Sequence, residues 1–232
     1  MLKRFEKKYL IDYNNAKVFI KDISNYFFLN KDKSITKYYN NSIYFDTPEF
    51  QFYTEKGEGL SKRVKGRLRF YHNTLFSNPK DIYCEFKTKD DSIVKKYRSN
   101  ISKECALKIL NCSQDVLEDS FDEVVNNFIF LKKKLNLHPA VRIIYGRSEF
   151  NSDIFQGLRL TLDSNLKCST DFKTLHINNG QIFLDPQYNL IEIKYNNAMP
   201  VFLTYLIKKY EMTQITYSKF YSALGYLYKN IN

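Results

Sequence analysis

An α+β fold with a mostly antiparallel sheet is the class this sequence predicts. Three observations predict it. Apolar and polar residues alternate over seven separate stretches, the period of strands with one buried face. Segments of helical periodicity lie between those stretches, the longest of them near the middle of the chain. Gly and Pro number only 7 and 5 in 232 residues, with no long Gly/Pro/Ser-rich linker and no internal repeat, so residues 1–232 read as one domain.

The elements follow in order. Arg4–Ile11 alternates and reads as a strand. Asn14 or Asn15 then caps a helix to about Phe28. Ser42–Asp46 is the next strand, and Thr47 followed by Pro48 opens a short helix. Ser61–Tyr71 and Asp81–Lys89 are strands. Ser102 opens the helix "KECALKILN". "DVLEDSFDEVVNNFIFLKKKLN" is a long helix with acids early and lysines late, which suits its dipole. Val141–Phe150 and Gly157–Asp163 return to strand. "LHINNGQIFLD" is a hairpin turning at Asn178-Asn179-Gly180. Asn189–Lys194 is the last predicted strand, and "PVFLTYLIKKYEM" and "SKFYSALGYLYKNI" are closing helices.

Hydrophobic residues at 44% allow a sizeable core. Lys plus Arg total 36 against 25 Asp plus Glu, a net charge of +11. That balance favours an anionic partner: nucleic acid, an anionic membrane or a phosphorylated substrate. No apolar run approaches the roughly 20 residues of a membrane helix, and the first residues lack the apolar core of a secretory signal. Cys84, Cys105, Cys112 and Cys168 are scattered, as are His72, His138 and His176. Neither a zinc site nor a disulfide framework is expected, and the expected address is cytoplasmic.

The polar faces of the strands carry the functional signal. In "RVKGRLRFY" one face holds Arg63, Lys65, Arg67, Arg69 and Tyr71. The same alternation groups Arg4, Glu6 and Lys8; Asp81, Tyr83, Glu85, Lys87 and Lys89; Tyr145 and Arg147; Arg159, Thr161 and Asp163; and Glu192 and Lys194. An ordinary half-buried sheet with a wet outer face is one reading. The other is a barrel with a polar lumen and an apolar exterior under helices. Facing cations repel unless an anion neutralises them, so such a lumen calls for a polyanion and a divalent metal.

In order, "RFEKKYLI", "YYNNSIYFDTPEFQFY", "RVKGRLRFY", "CEFKTK", "VRIIYGR…LRLTLD", "IEIKY" and "YSKFYSAL" resemble the VTC domain. This is the polyphosphate polymerase domain of the vacuolar transporter chaperone, within the CYTH or triphosphate tunnel metalloenzyme superfamily. The resemblance implies an antiparallel eight-stranded β tunnel barrel with a polar basic lumen, covered by helices. It implies Mn²⁺ or Mg²⁺ held by carboxylate, and ATP, triphosphate and polyphosphate as ligands. Carried over by position, the phosphate ligands are Lys8, Arg67, Arg69, Lys87, Arg147, Arg159 and Lys219. Lys65, Lys89, Lys96 and Lys194 are further binding positions, with Lys95 the alternative to Lys96. Glu192 falls on the metal-binding glutamate, with Glu6 as its companion and Glu85 a further candidate. The family's closing helix starts with a K-F-S-K-like pattern, whereas this chain reads Thr216-Tyr217-Ser218-Lys219. The larger members also carry a regulatory domain and membrane helices; neither is expected from this sequence, so coupling of synthesis to membrane translocation is not implied.

Hydrolytic relatives in that superfamily carry E-x-E-x-K on the first strand and E-x-E on the last. Here Arg4 and Lys194 replace two of those acids. The substitution favours holding long phosphate chains over activating water, so polyphosphate polymerase is expected before inorganic triphosphatase. Two binding readings stand beside them: a nucleic-acid-binding protein using its 19 Tyr and 19 Phe for stacking, and a non-catalytic polyphosphate-binding module. Nucleic acid is not the expected partner, because glutamates interleaved with cations repel a phosphate backbone.

Overall fold

The computed structural model of this chain describes residues 4–27, 36–74, 77–91, 93–111, 122–173, 175 and 180–229. Within them the chain runs β1 (Arg4–Asp12), α1 (Tyr13–Phe27), β2 (Thr36–Asp46), α2 (Gln51–Gly57), β3 (Arg63–His72), β4 (Asp81–Asp90), β5 (Ile93–Asn100), α3 (Lys103–Leu110) and α4 (Glu123–Lys134). It continues with β6 (His138–Asn151), β7 (Arg159–Ser169), β8 (Gln181–Ile182), β9 (Tyr188–Asn196), α5 (Val201–Lys209), β10 (Thr213–Ile215) and α6 (Lys219–Lys229). The class is α+β with an antiparallel sheet, as predicted. The strand order is β10-β1-β9-β7-β6-β2-β3-β4-β5, with β8 on β7. The expected barrel of eight strands is corrected on two points. The described sheet has ten strands, and its path has two ends, β10 and β5, rather than closing on itself.

The seven strands predicted outside the hairpin are all present, and β5 and β10 are additional; of the predicted hairpin only β8 is strand among the described residues, and it pairs with β7. Three helix starts differ from expectation. Helix α2 begins at Gln51 with Phe50 at its N-cap, and Thr47, predicted to open it, stands four residues ahead and accepts from Gln51 N–H at 3.1 Å. Helix α1 is capped by Asp12, whose Oδ1 accepts from the backbone N–H groups of Asn14 at 2.8 Å and Asn15 at 3.2 Å. The cap thus lies before the two predicted asparagines, because a carboxylate there faces two orphan donors of the first turn. Helix α4 starts on Asp122, which accepts from Val125 N–H; the earlier part of the predicted long helix, up to residue 121, lies outside the described residues. So do Cys112, His176 and the Asn178-Asn179 turn. Ser102 caps α3 as predicted, accepting from Cys105 N–H at 3.1 Å. No helix among the described residues is long and apolar enough to cross a membrane.

The chain divides into two compact units. The first comprises residues 1–38, 145–166 and 184–217. Its core is Tyr9 and Ile11 of β1, Leu160 and Leu162 of β7, and Ile191 and Ile193 of β9, with Phe19, Ile23 and Phe27 of α1 and Leu203 and Leu206 of α5. Covering that face with two helices commits the alternate residues of β1, β7 and β9 to the opposite one. The second unit comprises residues 39–144, 167–183 and 218–232. There Ile43, Phe45, Leu68, Phe70, Cys84 and Phe86 are buried, with Val125, Phe128 and Ile129 from α4. Gly66 makes that packing possible, since a Cβ there would stand 2.5 Å from Phe128 Cε2. Arg142, fully buried, donates to Asp171 O at 2.7 Å and to Asn41 Oδ1 at 3.3 Å, so this core guanidinium serves packing.

Candidate functional site: two charged sheet faces

Each unit presents one charged sheet face. In the second unit, burial of Leu68 and Phe70 turns Arg63, Lys65, Arg67, Arg69 and Tyr71 to the other side of β3. Register places Tyr44 opposite Arg67 on β2, and Lys87, Glu85 and Tyr83 opposite Lys65, Arg67 and Arg69 on β4. From β5, Lys96 stands beside Lys87 and Arg98 beside Glu85.

Glu85 is the hub of this face. Its side chain is 3% exposed, and it accepts from Arg67 Nε at 2.7 Å and pairs with Arg67 Nη2 at 2.6 Å. Arg98 lies at 3.3 Å, Lys96 at 3.5 Å and Arg69 at 3.8 Å. Burial alone would raise the carboxyl, but the charges of Arg67, Arg69 and Lys96 outweigh it and bring it down to about 2. Arg67 also donates from Nη1 to Tyr44 Oη at 2.5 Å. With Nε, Nη1 and Nη2 all engaged, the guanidinium plane is fixed while part of its five-donor fork stays available to an anion. Burial would raise the Tyr44 phenol, yet Arg67 and Arg69 hold it at about 8. Lys65 is pushed down to about 8 by burial; it donates to Ser218 Oγ at 3.3 Å and lies over the Phe220 ring.

Among the described residues, the side chains of two polar residues on this face find no hydrogen-bond partner. Asn40 stands opposite Tyr71 and Ser42 opposite Arg69. Both are buried, and Asn40 Nδ2, Asn40 Oδ1 and Ser42 Oγ make no hydrogen bond. Such groups are costly unless a ligand or water completes them.

The first unit's face is a checkerboard. Glu6 lies opposite Lys194 and Lys8 opposite Glu192; Lys194 and Glu192 in turn face Arg159 and Thr161. Lys194 Nζ is 2.9 Å from Glu192 and 3.3 Å from Glu6, while Lys8 Nζ is 3.8 Å and 3.4 Å from the same pair. Arg147 makes a bidentate pair with buried Asp163 at 2.6 and 2.8 Å. Arg159 donates to Glu149 at 2.7 Å, and Tyr38 Oη donates to the same carboxylate.

Carboxylate oxygens are the donors Mg²⁺ and Mn²⁺ prefer. Glu192 and Glu6 share both neighbouring ammonium groups, and buried Thr161 Oγ1 opposite Glu192 has no hydrogen-bond partner. The set fits a hard divalent ion whose shell is completed by water and phosphate oxygens. It does not amount to a self-sufficient metal cage, since no three metal-ligating side chains gather among the described residues. Glu85 fits a metal poorly, because four cations already surround it.

A family model of the VTC domain matches residues 3–228. The chain belongs to the VTC domain family. Among solved structures, this VTC domain is similar to HpAC1 from Hippeastrum, named for adenylyl cyclase and described as having a dominant triphosphatase activity. That likeness has a TM-score of 0.55 at 14% identity, covering 95% of this chain and 93% of that one. It is also similar to a Vibrio parahaemolyticus protein named for adenylate cyclase (TM-score 0.44, 13% identity, 93% and 94% covered). A third is the Mimivirus capping enzyme triphosphatase (0.34, 10%, 88% and 87%). The first shows a shared fold. No curated protein matches the chain.

Within this VTC domain the predicted residues fall into two groups. Arg67, Arg69, Lys87, Lys65, Lys89 and Lys96 share the β3–β5 face, and Lys96 rather than Lys95 is the member nearest Glu85. Lys219 begins α6, next to the Ser218 that Lys65 contacts. Lys8, Glu6, Glu192, Lys194, Arg147 and Arg159 belong to the first unit. Sequence reasoning placed Glu85 and Asp163 on the charged faces, with Glu85 a further metal candidate, but did not see that they hold Arg67 and Arg147, and it missed Glu149, which holds Arg159. Their signal was the acid recurring among cations on successive strands.

Proposed function

We propose that this VTC domain is a polyphosphate polymerase, transferring the γ-phosphate of ATP onto a polyphosphate chain held by its basic sheet faces, with residues 1–232 acting as one domain. Lys194 carries the choice of polymerase over hydrolase. Its ammonium lies 2.9 Å from Glu192 and 3.3 Å from Glu6, at a position where hydrolytic relatives place an acid. A carboxylate there would help orient an attacking water; an ammonium instead attracts phosphate oxygens.

The chemistry is in-line phosphoryl transfer. A terminal phosphate oxygen of the chain attacks the γ-phosphorus of ATP. The bond from that phosphorus to the β–γ bridging oxygen breaks, ADP departs with the electron pair, and no covalent enzyme intermediate forms. Arg67, held in plane by Glu85 and Tyr44, offers its remaining N–H groups to phosphate, and Arg69 and Lys87 extend that wall. Lys8, Arg147 and Arg159 hold phosphate on the first unit's face, and Lys219 at the start of α6. The cations of each face neutralise charge on the phosphate groups which that face holds. Mn²⁺ or Mg²⁺ bound at Glu192 with Glu6 would supply further neutralisation of phosphate oxygens. The proposal places the activity in the cytoplasm, where ATP is available.

A triphosphatase is the second reading, favoured by the retention of both Glu6 and Glu192. Primer dependence separates the two. Short polyphosphate added to ATP and metal should abolish any lag in ADP release, because it supplies the first nucleophile. Orthophosphate release that ignores primer would favour the triphosphatase.

A further inference from the structure

We propose that a cleft on the outer face of β3, β4 and β5, the face turned away from the Arg67–Glu85 cluster, is a binding site for a mononucleotide. The proposal is independent of the polymerase reading, since it uses none of the phosphate positions assigned above.

The cleft begins where α4 stops. That helix covers the outer face at Gly66, where an added Cβ would stand 2.5 Å from Phe128 Cε2, and it ends at Lys134. One row further along the face, Thr88 lies opposite Val64 on one side and Lys95 on the other. These three residues floor a cleft of about 520 Å³, walled by Gln51 and Glu55 of α2 and by Leu135 at the end of α4. Pockets of about 300–1,000 Å³ take up most of a small organic ligand.

Three groups around the cleft define its ligand. The first is an aromatic platform. Tyr97 stands opposite Phe86, which stacks on it with ring centroids 4.4 Å apart and planes at 15°. Tyr97 is only half-buried and lines the cleft, so a planar base laid on its ring extends the stack. The second is a carboxylate. Glu55 Oε1 accepts from Gln51 Nε2 at 2.8 Å, which steadies the group at the rim with acceptor capacity to spare. A carboxylate so placed accepts ribose hydroxyls, the role an acid plays in dinucleotide-binding folds. The third is a cation. Lys95 shares the face of Tyr97 two residues away, about 7 Å along the strand. The cleft's other acid, Asp90, pairs with Lys62 at 3.7 Å, which leaves the Lys95 ammonium to a 5′-phosphate. Base, sugar and phosphate thus each meet a matching group. A bare phosphate chain would use one of the three and be repelled by Glu55.

The test is equilibrium dialysis of labelled AMP against the protein without metal, with adenosine and inorganic phosphate as competitors. Wild type should bind AMP saturably, and adenosine should compete where inorganic phosphate at the same concentration does not. Tyr97→Leu should weaken AMP binding about tenfold, while Tyr97→Phe keeps it. Lys95→Gln should cost AMP about two- to fivefold and leave adenosine unchanged. Glu55→Gln should weaken AMP, whereas the 2′,3′-dideoxy analogue should bind variant and wild type alike. Arg67→Ala should bind AMP as wild type does, because the phosphate face takes no part. If Tyr97→Leu fails to fold, the exposed Lys95→Gln and the competitors decide. An absence of saturable AMP binding would overturn the site. So would displacement of AMP by inorganic phosphate alone, or binding that is lost in Arg67→Ala and kept in Lys95→Gln, since either places the nucleotide on the phosphate face.

Discussion

Replacing Glu85 by Gln removes one charge from the centre of the cationic face while preserving its volume. The Gln carbonyl can still accept one hydrogen bond from Arg67, so the change is chiefly electrostatic. The carboxyl stands at about 2 against an ordinary 4.5. At 1.36 kcal/mol per unit, that displacement corresponds to roughly 3 kcal/mol of favourable interaction. Arg67 and Arg69, 20% and 10% exposed, are poorly screened; Lys96 and Arg98, 50% and 37% exposed, contribute less. A loss of about 2–3 kcal/mol at neutral pH follows, or about 5–10 °C in melting temperature for a chain of this size. Glu85 is a group with a depressed folded pKa. Its contribution is fully present above about pH 4.5 and is lost as pH falls through about 2. The gap between wild type and Glu85→Gln should therefore close across that window. Urea unfolding followed by circular dichroism measures it, with tripolyphosphate as a second arm. An added polyanion should stabilise the variant more than wild type, because it replaces the missing negative charge. A variant within about 0.5 kcal/mol of wild type at pH 7, or a gap that persists unchanged at low pH, would refute the hub role of Glu85.

Arg67→Ala should weaken tripolyphosphate binding by about tenfold to a hundredfold, the range for charge-assisted hydrogen bonds, without unfolding the chain; calorimetric titration checks it, and unchanged affinity would remove Arg67 from the site. Glu192→Gln should abolish metal-dependent turnover while polyphosphate binding largely survives; full activity in the variant would move the metal elsewhere. Lys65, held at about 8, should lose its charge as pH rises through that value, so polyphosphate affinity should step down there, and the step should shrink in Lys65→Arg to the part that comes from Tyr44, which is held at the same value. The folded-state value lies below the unfolded one of 10.5, so the ligand-free protein should gain stability between about pH 8 and 10.5; a ligand-free stability that falls across this range would contradict that origin.

Much of the fold was legible because single faces of its strands are buried under helices. In β3 and β4 the buried apolar residues alternate, in β1 and β9 they do so apart from Lys7 and Leu190, and the predicted ends fall within a few residues of those observed. The first half of β2 was not legible, since Asn40, Asn41 and Ser42 are consecutive buried polar residues and break the period. Strand β5 was missed for the opposite reason. It ends the sheet path and is mostly exposed, and its run Val94-Lys95-Lys96-Tyr97-Arg98 carries no buried face to reveal it. The cations of the site were visible in the alternation itself. What they bind within the protein was not, because Glu85 meets Arg67 only through the β3–β4 register, and Lys96 and Arg98 reach it through β4–β5. Register is a long-range property that local sequence does not state. The ten-strand count has the same source: β8 and β10 are two and three residues long and exist only through pairing with β7 and β1.

The most direct test of the central claim is to incubate the protein with ATP, Mn²⁺ or Mg²⁺ and a short polyphosphate primer, and to resolve the products on a gel that separates orthophosphate, triphosphate and polyphosphate. Polymerase chemistry predicts ADP together with acid-labile chains that lengthen with time and depend on Glu192. Orthophosphate released from ATP or tripolyphosphate, with no long chains at any ATP or primer concentration, would contradict it.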